Sequence, residues 1–442
     1  MPTLSTKVSP VFNPADFTSS VIDNPYMPLQ PGTTLVYKTA STGEVVNFEV
    51  TRQTKVIDGV TCVVVHDTSK VDGQLEEDTL DYLAQDKFGN VWYFGEDTKT
   101  LEDGKVVSTE GSWRAGVAGA LPGFIMEAHP HVGDEYSQEI APGVAEDQAK
   151  VVSLNEVVDV PYGSGDHALE TDETTPLEPS VLEHKFYLSG VGLVSTVDAN
   201  TGEIEELIKI IFDGTSGDDM IDGKLGTDEI NGFAGNDHLN GSDGADVVKG
   251  GRGNDVIGGG KDTDADLLYG NQGNDRIFLR TGDKGYGGGG SDKLRLFDNE
   301  DFGLVDGGAQ HGTNLGKVRG DILQFDGSLD LTKAGLSERI THIETLSMVG
   351  SGHDRLTLSA RDVLDLGEGK LSPTFCGKDK WGSGDAVRIE GGDGDHLTLT
   401  GGKWHEVEDV KNVPDNYDVF ARQTSTGTAY VVVNEDVQVD LT

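Results

Sequence analysis

The sequence predicts an all-β protein: an N-terminal antiparallel β-barrel-like domain, then a parallel β-roll, then a degenerate β-solenoid cap at the C-terminus. Three observations predict it. Glycine recurs every nine positions from Gly214 onward, and each unit ends in a short apolar strand. Before residue 212, strand-like runs alternate with Asp-Gly turns. After residue 298 the short apolar strands persist but the strict period is lost. The expected spans are an extension over 1–19, a β-domain over 20–212, the roll over 213–298 and the cap over 299–442.

A chain of 442 residues has room for two or three domains, each with an ordinary core. Asp and Glu number 77 against 34 Lys and Arg, a formal net charge of -43, which argues against nucleic acid or an anionic membrane surface as partner and in favour of cations. The two cysteines, Cys62 and Cys376, are distant and make no disulfide framework. Met1 to Phe17 lacks the basic start and apolar run of a Sec-type signal. No apolar run approaches the ~18 residues of a membrane span, so no transmembrane segment is expected and any case for export rests on the repeats.

In the N-terminal domain the clearest strands are Thr34 to Thr39, Glu44 to Arg52, Thr61 to His66, Asn90 to Phe94, Ala145 to Val152 and Leu182 to Leu188. Asp58-Gly59, Asp72-Gly73 and Asp103-Gly104 are hairpin turns, so a meander closing into a barrel or half-barrel follows. The opening DNPYMPLQPGTTLVYK (Asp23 to Lys38), with NVWYFGEDTK and STEGSW, resembles a widespread bacterial domain of unassigned function. Leu35 stands where that domain usually has Trp, and the resemblance carries no activity. Glu96, Asp97, Glu110, His129, His131, Glu146, Asp147 and His184 could supply a hydrolytic pair, but no spacing selects one. His129 and His131 read as a surface loop rather than a metal site; Trp92, Tyr93, Phe94 and Trp113 read as core. No nucleophile elbow, phosphate loop or dinucleotide fingerprint occurs.

The repeats run GTSGDDMID (Gly214 to Asp222), GKLGTDEIN, GFAGNDHLN, GSDGADVVK and GGRGNDVIG, then an eleven-residue GGKDTDADLLY, GNQGNDRIF from Gly270, a shortened LRTGDKGY and GGGGSDKLR from Gly287. Their template is G-G-x-G-x-D-x-U-x, with U apolar. Glycine at the first and fourth places is expected to take positive φ in a tight turn. Asp at the sixth supplies a hard carboxylate which, with turn carbonyls, suits calcium. The U residues are Ile221, Ile230, Leu239, Val248, Ile257, Leu268, Ile277, Tyr286 and Leu294. With 35% hydrophobic residues overall, so many apolar hits in register arise by chance about once in ten thousand trials, which excludes a flexible glycine-rich linker.

The segment resembles the RTX (hemolysin-type) calcium-binding repeats of exported bacterial toxins, proteases, lipases and adhesins. The resemblance implies two nonapeptides per coil, turns stacked on two edges, and ions held between a turn and the turn two units later. One edge then carries Asp219, Asp237, Asp255, Asp275 and Asp292, with about four ions. Carried over by place, Thr215, Gly217 and Asp219 face Gly232, Ala234 and Asp237; Phe233, Gly235 and Asp237 face Gly250, Arg252 and Asp255. Gly251, Gly253 and Asp255 face Gly270, Gln272 and Asp275; Asn271, Gly273 and Asp275 face Gly287, Gly289 and Asp292. All but the aspartates act through backbone carbonyls. The other edge has Asp228, Asp246, then Asp264 or Asp266 at the sixth place, and finally Lys284, so one or two ions are expected there and none at Lys284.

Each nine-residue unit buries one U side chain, too little to offset the ordering of so many glycines, so ion binding is expected to supply the folding free energy. The roll should be disordered at cytosolic calcium and ordered at extracellular calcium. The resemblance implies passage through a type I secretion machinery that reads an uncleaved C-terminal signal, and an extracellular location. In the cap, Ile343 to Leu366 and Gly391 to Trp404 resemble the terminal region of exported RTX proteins. Ser359 and Asp362 predict a helix cap. In Gly391 to Asp395 the Asp falls one place early for a standard site. Val431 to Thr442 is a final edge strand, an export signal, or both. His405-Glu406 lacks the second histidine of a zinc-protease motif.

Two functional readings stand. One is a non-catalytic exported protein whose N-terminal β-domain binds an extracellular ligand or surface. The other is a secreted hydrolase with its catalytic site in residues 20–212. A deep pocket with converging carboxylates would favour the enzyme, and a filled barrel would favour binding or structure.

Overall fold

The structure is a computed structural model that describes residues 6–7, 11–308, 320–350, 352–366, 384–407 and 413–442. Cys376 lies outside them, and Cys62 is buried and free. The chain is all-β and forms two compact units, Met1–Asp213 with Lys224–Glu229, and Gly214–Gly223 with Ile230–Thr442.

In the first unit the Asp-Gly pairs set the fold. Asp58, Asp72 and Asp103 take φ of 46°, 49° and 50°, and the glycines after them are also positive, which is the two-residue turn that matches strand twist. Long strands run from these turns: Val45–Ile57, Val60–Val71 and Gln74–Gln85 pair in antiparallel sequence, followed by Val91–Asp97 and Leu121–Met126. Asp134–Ser137 begins the second half against Gln148–Val160, and Gly163–Thr175, Glu178–Leu188, Gly192–Asp198 and Ile204–Asp213 follow. Ile204–Asp213 then pairs with Thr33–Thr39, which itself pairs with Val45–Ile57, and Glu139–Ile140 pairs with Leu121–Met126, so the sheet closes into a barrel.

Trp92, Tyr93, Phe94 and Trp113 are all core, as expected; Tyr93 packs edge-on against Trp113 at 5.6 Å and also lines the interior cavity. Phe12 and Phe17 of the N-terminal extension cover Trp92 and Phe94 at ring-centroid distances of 5.4–6.0 Å. His131 is exposed and lies 3.4 Å from Asp134.

The second unit is a stack of short parallel strands. One ladder runs Met220–Asp222, His238–Ser242, Val256–Gly260, Arg276–Leu279 and Lys293–Leu296. It continues without a break through Ile322–Phe325, Thr345–Met348, Asp385–Glu390 and Thr428–Asn434. A second ladder holds Val247–Arg252, Leu267–Gln272, Lys284–Gly289, Leu304–Asp306 and Ile340–Thr341. A third, in the cap, holds Ser328–Asp330, Arg355–Ser359, His396–Thr400 and Gln438–Leu441. Residues 431–442 therefore fall on two strands: Thr428–Asn434 lies inside a sheet, with Tyr417–Gln423 antiparallel on its other side, and Gln438–Leu441 is an edge. Ser359 and Asp362 bond reciprocally and cap the helix Ala360–Leu366.

Eight of the nine expected U residues are buried. The exception is Tyr286. In the shortened unit the register moves by one residue, so Gly285 pairs with Leu268 at the inward place and Tyr286 faces out, stacked on Tyr269 at 4.8 Å. Leu279 packs over Gly285, where an added Cβ would press on its methyl groups, so a small residue suits that inward place.

Candidate metal centre

The sixth-place aspartates form a continuous rung ladder. Each accepts the backbone N–H of the corresponding Asp one coil earlier: Asp219 N donates to Asp237 Oδ1 at 2.9 Å, Asp237 to Asp255 at 2.9 Å, Asp255 to Asp275 at 2.8 Å and Asp275 to Asp292 at 2.8 Å. The ladder passes residue 298, since Asp292 N donates to Asp321 Oδ1 and Asp321 N to Glu344 Oε2, both at 2.7 Å. Asp237, Asp255, Asp275 and Asp292 are buried, yet their Oδ2 atoms have no protein partner. Buried carboxylate oxygens are rarely left so, and a row of them is the signature of a cation site.

The first-place glycines explain themselves in the same geometry. Gly232, Gly250, Gly270 and Gly287 do not take positive φ, contrary to expectation. A Cβ on each would strike Oδ2 of the unit's own aspartate and the carbonyl of the first-place residue of the next coil, Gly250, Gly270, Gly287 and Gly307 in turn. Positive φ falls instead at the second and fourth places: Phe233 at 67°, Gly251 at 107°, Asn271 at 71°, Gly235 at 133°, Gly253 at 128° and Gly273 at 135°. The third-place carbonyls of Arg252, Gln272 and Gly289 accept N–H bonds from Gly235, Gly253 and Gly273 at 2.8–2.9 Å, which keeps the turns stacked. Ala234 bridges to Arg252. Thr215 N donates to Asp219 Oδ2 at 2.6 Å, and the Thr215 hydroxyl bonds Gly217 N. Oxygen donors from carboxylate and carbonyl, with no sulfur or imidazole among them, fit a hard divalent cation such as calcium.

On the other edge, Asp266 and not Asp264 holds the sixth place: Asp246 N donates to Asp266 Oδ1 at 2.9 Å, while Asp264 is exposed. The reading of Lys284 is corrected. Asp283 takes that place, accepting from Asp266 N at 3.1 Å, and its second oxygen is satisfied by Arg280 N at 2.7 Å. In the first unit, Asp228 Oδ1 accepts the Tyr162 hydroxyl at 3.1 Å and its Oδ2 accepts Lys224 N.

Burial sets the electrostatics. It raises the carboxyls of Asp237 and Asp255, and pushes Asp275 to about 7, Asp292 to about 6 and Asp266 to about 8, while the backbone N–H each accepts pulls the other way. Without a cation these groups resist ionising.

Sequence reasoning missed three features. The fifth place is a second ladder, in which Asn236, Asn254, Asn274 and Ser291 N–H groups bond Oδ1 of Asp218, Asn236, Asn254 and Asn274 at 2.7–2.9 Å; the thrice-repeated Gly-Asn-Asp was its signal. Asp321 and Glu344 lie at spacings that follow no period. In the cap, Gly327 N donates to Asp354 Oδ1 at 2.6 Å and Asp354 N to Asp395 Oδ1 at 3.0 Å, with Asp354 Oδ2 buried and without a partner. Asp395 Oδ2 is satisfied by Gly392 N at 2.8 Å.

Among the described residues one His-carboxylate group also has metal-like spacing, Glu170, Asp172 and His184. His184 Nδ1 lies 2.7 Å from Asp172 Oδ1 and 3.7 Å from Glu170 Oε1, so the imidazole already serves the carboxylates as a partner. No helix among the described residues is long and apolar enough to cross a membrane.

Comparison with known proteins agrees with the ladder. Residues 213–248, 231–264 and 262–283 match the family described as RTX calcium-binding nonapeptide repeat, in four copies. A search of curated proteins found no match. Among solved structures, a candidate lipoprotein from Parabacteroides distasonis aligns at 11% identity over 44% of this chain and 100% of its own, with a TM-score of 0.24, too slight to carry a fold. Residues 213–283 thus carry repeats similar to the RTX calcium-binding nonapeptide family.

Proposed function

We propose that the protein is exported by bacteria through type I secretion machinery, that its roll orders by binding calcium outside the cell, and that its N-terminal barrel binds an extracellular ligand or surface. The observation that carries the calcium step is the row of buried Oδ2 atoms without protein partners at Asp237, Asp255, Asp275 and Asp292. Ions between successive turns would be held by those aspartates and by carbonyls of the turn places already named, four along this edge from Asp219 to Asp292, and one or two on the edge of Asp228, Asp246 and Asp266. A bound divalent ion supplies the charge that lets neighbouring carboxylates ionise together. The chain supplies the fixed turns: N–H groups orient each Oδ1, and the first-place glycines leave Oδ2 room.

Because such sites do not exist in an unfolded chain, ion affinity becomes folding free energy and the roll orders only where calcium is millimolar. That suits a chain that must cross an exporter unfolded. Calcium added to chelated protein should raise the β-sheet circular dichroism signal in the millimolar range. An unchanged spectrum would refute the calcium step, and secretion unaffected by deletion of residues 428–442 would refute the C-terminal export signal.

The hydrolase is the second reading, and one observation favours it. The barrel is not filled; Asp81 and Glu96 converge in its interior, 2.6 and 3.0 Å from the one Tyr93 hydroxyl. Burial raises Asp81 to about 6 and Glu96 to about 8, the divergence an acid-base pair uses. Hydrolysis of a glycoside or ester library abolished by Glu96→Gln would establish this reading, and no turnover would leave the barrel as a binding domain.

A further inference from the structure

The barrel interior holds two adjoining cavities of about 320 and 270 Å³, which share Met27, Phe48, Asp67, Ile125, Glu173 and Lys185 as walls. The larger is apolar at its far end, where Leu29, Leu35, Val46 and Leu193 line it. The smaller is acidic, walled by Glu77, Asp81, Glu96, Glu139 and Asp147. Lys185 is the one basic side chain among the lining residues, and it is already committed: its Nζ lies 2.8 Å from Glu173 Oε2 and 3.4 Å from Glu183 Oε2.

Asp67 is placed where the two cavities meet. Its cross-strand neighbours are Phe48 and Thr79, it is partly buried at the cavity wall, and among the described residues no hydrogen bond or ion pair reaches its carboxylate. A carboxylate held that way is costly unless a cation completes it. Glu173 is paired with Lys185, while four other acids of the smaller cavity take neutral hydrogen bonds: Asp81 and Glu96 from the Tyr93 hydroxyl, Glu139 from Trp113 and Glu77 from Thr79. Phe48 and Tyr93 line the same space and add the aromatic surface that ammonium groups favour.

We propose that the barrel cavity binds a small organic amine, with the ammonium group at Asp67 beside the acidic wall and the apolar body in the limb lined by Leu29, Leu35, Val46 and Leu193. The inference rests on the reading of the barrel as a ligand-binding domain and names the ligand's chemical class. A cavity of this size is ordinary for a small-molecule site, and its split lining suits an amphipathic cation better than a bare metal ion, which would leave the apolar limb unused. Burial, with Asp81, Glu77, Glu205 and Glu96 all facing it, holds the Asp67 carboxyl well above the usual carboxylate range. Protons therefore compete with a cation for the Asp67 carboxyl, and an entering ammonium displaces them.

The test is titration of the calcium-loaded full chain with hexylamine, 1-hexanol and hexanoate, probes of one shape and three charges. Hexylamine should bind at least tenfold tighter than hexanol, release protons on binding at pH 7, and lose at least tenfold in affinity in Asp67→Asn and in Leu35→Trp, which fills the apolar limb. Thermal midpoints no lower than that of the wild type would show that both variants are folded. Hexanol or hexanoate binding as well as hexylamine, with the loss in Leu35→Trp but not in Asp67→Asn, would overturn the amine assignment and leave the ligand-binding reading intact. Hexylamine displaced by equimolar Mg²⁺ would overturn it in favour of a metal. No binding by any probe would refute both.

Discussion

Asp255→Asn separates what calcium does from what the polypeptide does. In the wild type, Asp255 Oδ1 accepts Asp237 N at 2.9 Å, while Oδ2 is buried without a partner. Asparagine keeps the Oδ1 acceptor and the shape, and replaces the charged Oδ2 with an uncharged amide nitrogen. Under the proposed scheme that charge serves two ions, one shared with Asp237 and one with Asp275. For sites with a dissociation constant of ~10⁻⁴ M in ~1 mM calcium, each ion contributes RT ln(1 + 10), or ~1.4 kcal/mol. Losing both costs about 3 kcal/mol, roughly two decades in the folding constant.

The sign reverses without calcium. Burial raises the Asp255 carboxyl, so the ionised group opposes folding of the empty roll and asparagine relieves it. Calorimetric stoichiometry should fall by two ions, and the calcium midpoint of the circular dichroism transition should rise. In chelator the variant should be at least as ordered as wild type. Asp166→Asn, which removes an exposed charge from the first unit, should change neither measurement. Equal destabilisation with and without calcium, or an unchanged ion count, would refute the reasoning.

Three further outcomes follow from the geometry. Gly253→Ala should cost at least ~2 kcal/mol of the calcium-loaded roll, because φ is 128° and the new Cβ would overlap the Gly235 carbonyl; Gly258→Ala, whose Cβ meets only Asn240 Oδ1 at 4.0 Å, should be tolerated, and thermal melts of the pair check both. Asp354→Asn should lower the melting temperature in calcium and not in chelator, since Asp354 repeats the roll's pattern of one bonded and one unpartnered oxygen. The first unit, followed by Trp92 and Trp113 fluorescence in saturating calcium, should lose stability as pH rises from about 5 to 8.5. Its folded carboxyls hold protons at about 8 for Glu96 and about 7 for Glu139, Glu205 and Glu127, whereas the unfolded chain releases them near ~4.3; the folded state is therefore proton-rich in that window, and a midpoint that climbs with pH would contradict this.

The roll was legible because each of its constraints acts on a fixed place in a nine-residue unit. Ile230, Leu239, Val248, Ile257 and Ile277 are fully enclosed where the period put them, and Asp237, Asp255, Asp275 and Asp292 are buried in register. Legibility failed where spacing alone had to settle an ambiguity. In LRTGDKGY an aromatic at the expected inward place, Tyr286, outweighed a glycine one residue earlier, although Asp283 carries the carboxylate that the ladder requires. The packing found there, Leu279 over Gly285, is tertiary and leaves no mark on the local pattern. Asp321 and Glu344 escaped for a related reason. Once insertions of irregular length separate the coils, the rung is defined by stacking and no longer by count.

The barrel was legible in its turns and illegible in its interior, and the second failure is informative. Strand recognition leans on alternation with the apolar face inward. Gln74–Gln85 and Gly163–Thr175 went unseen because their inward places carry Asp81 and Glu173, which line the cavity, so the alternation reads as acid rather than grease. Val60–Val71 shows the switch within one strand: Val63 and Val65 are buried core, and Asp67, two residues on along the same face, opens into the cavity. A fold stabilised by burial alone would not spend that face on ionisable groups whose charged forms it disfavours. Asp67 and Asp81, whose carboxyls burial raises, oppose folding of the empty barrel when ionised, and a cation filling the space would offset that. On the proposed reading the interior of the barrel repeats, with an organic cation in place of calcium, the arrangement of the roll: carboxylates such as Asp67 set where no protein cation meets them, and stability lent by what binds.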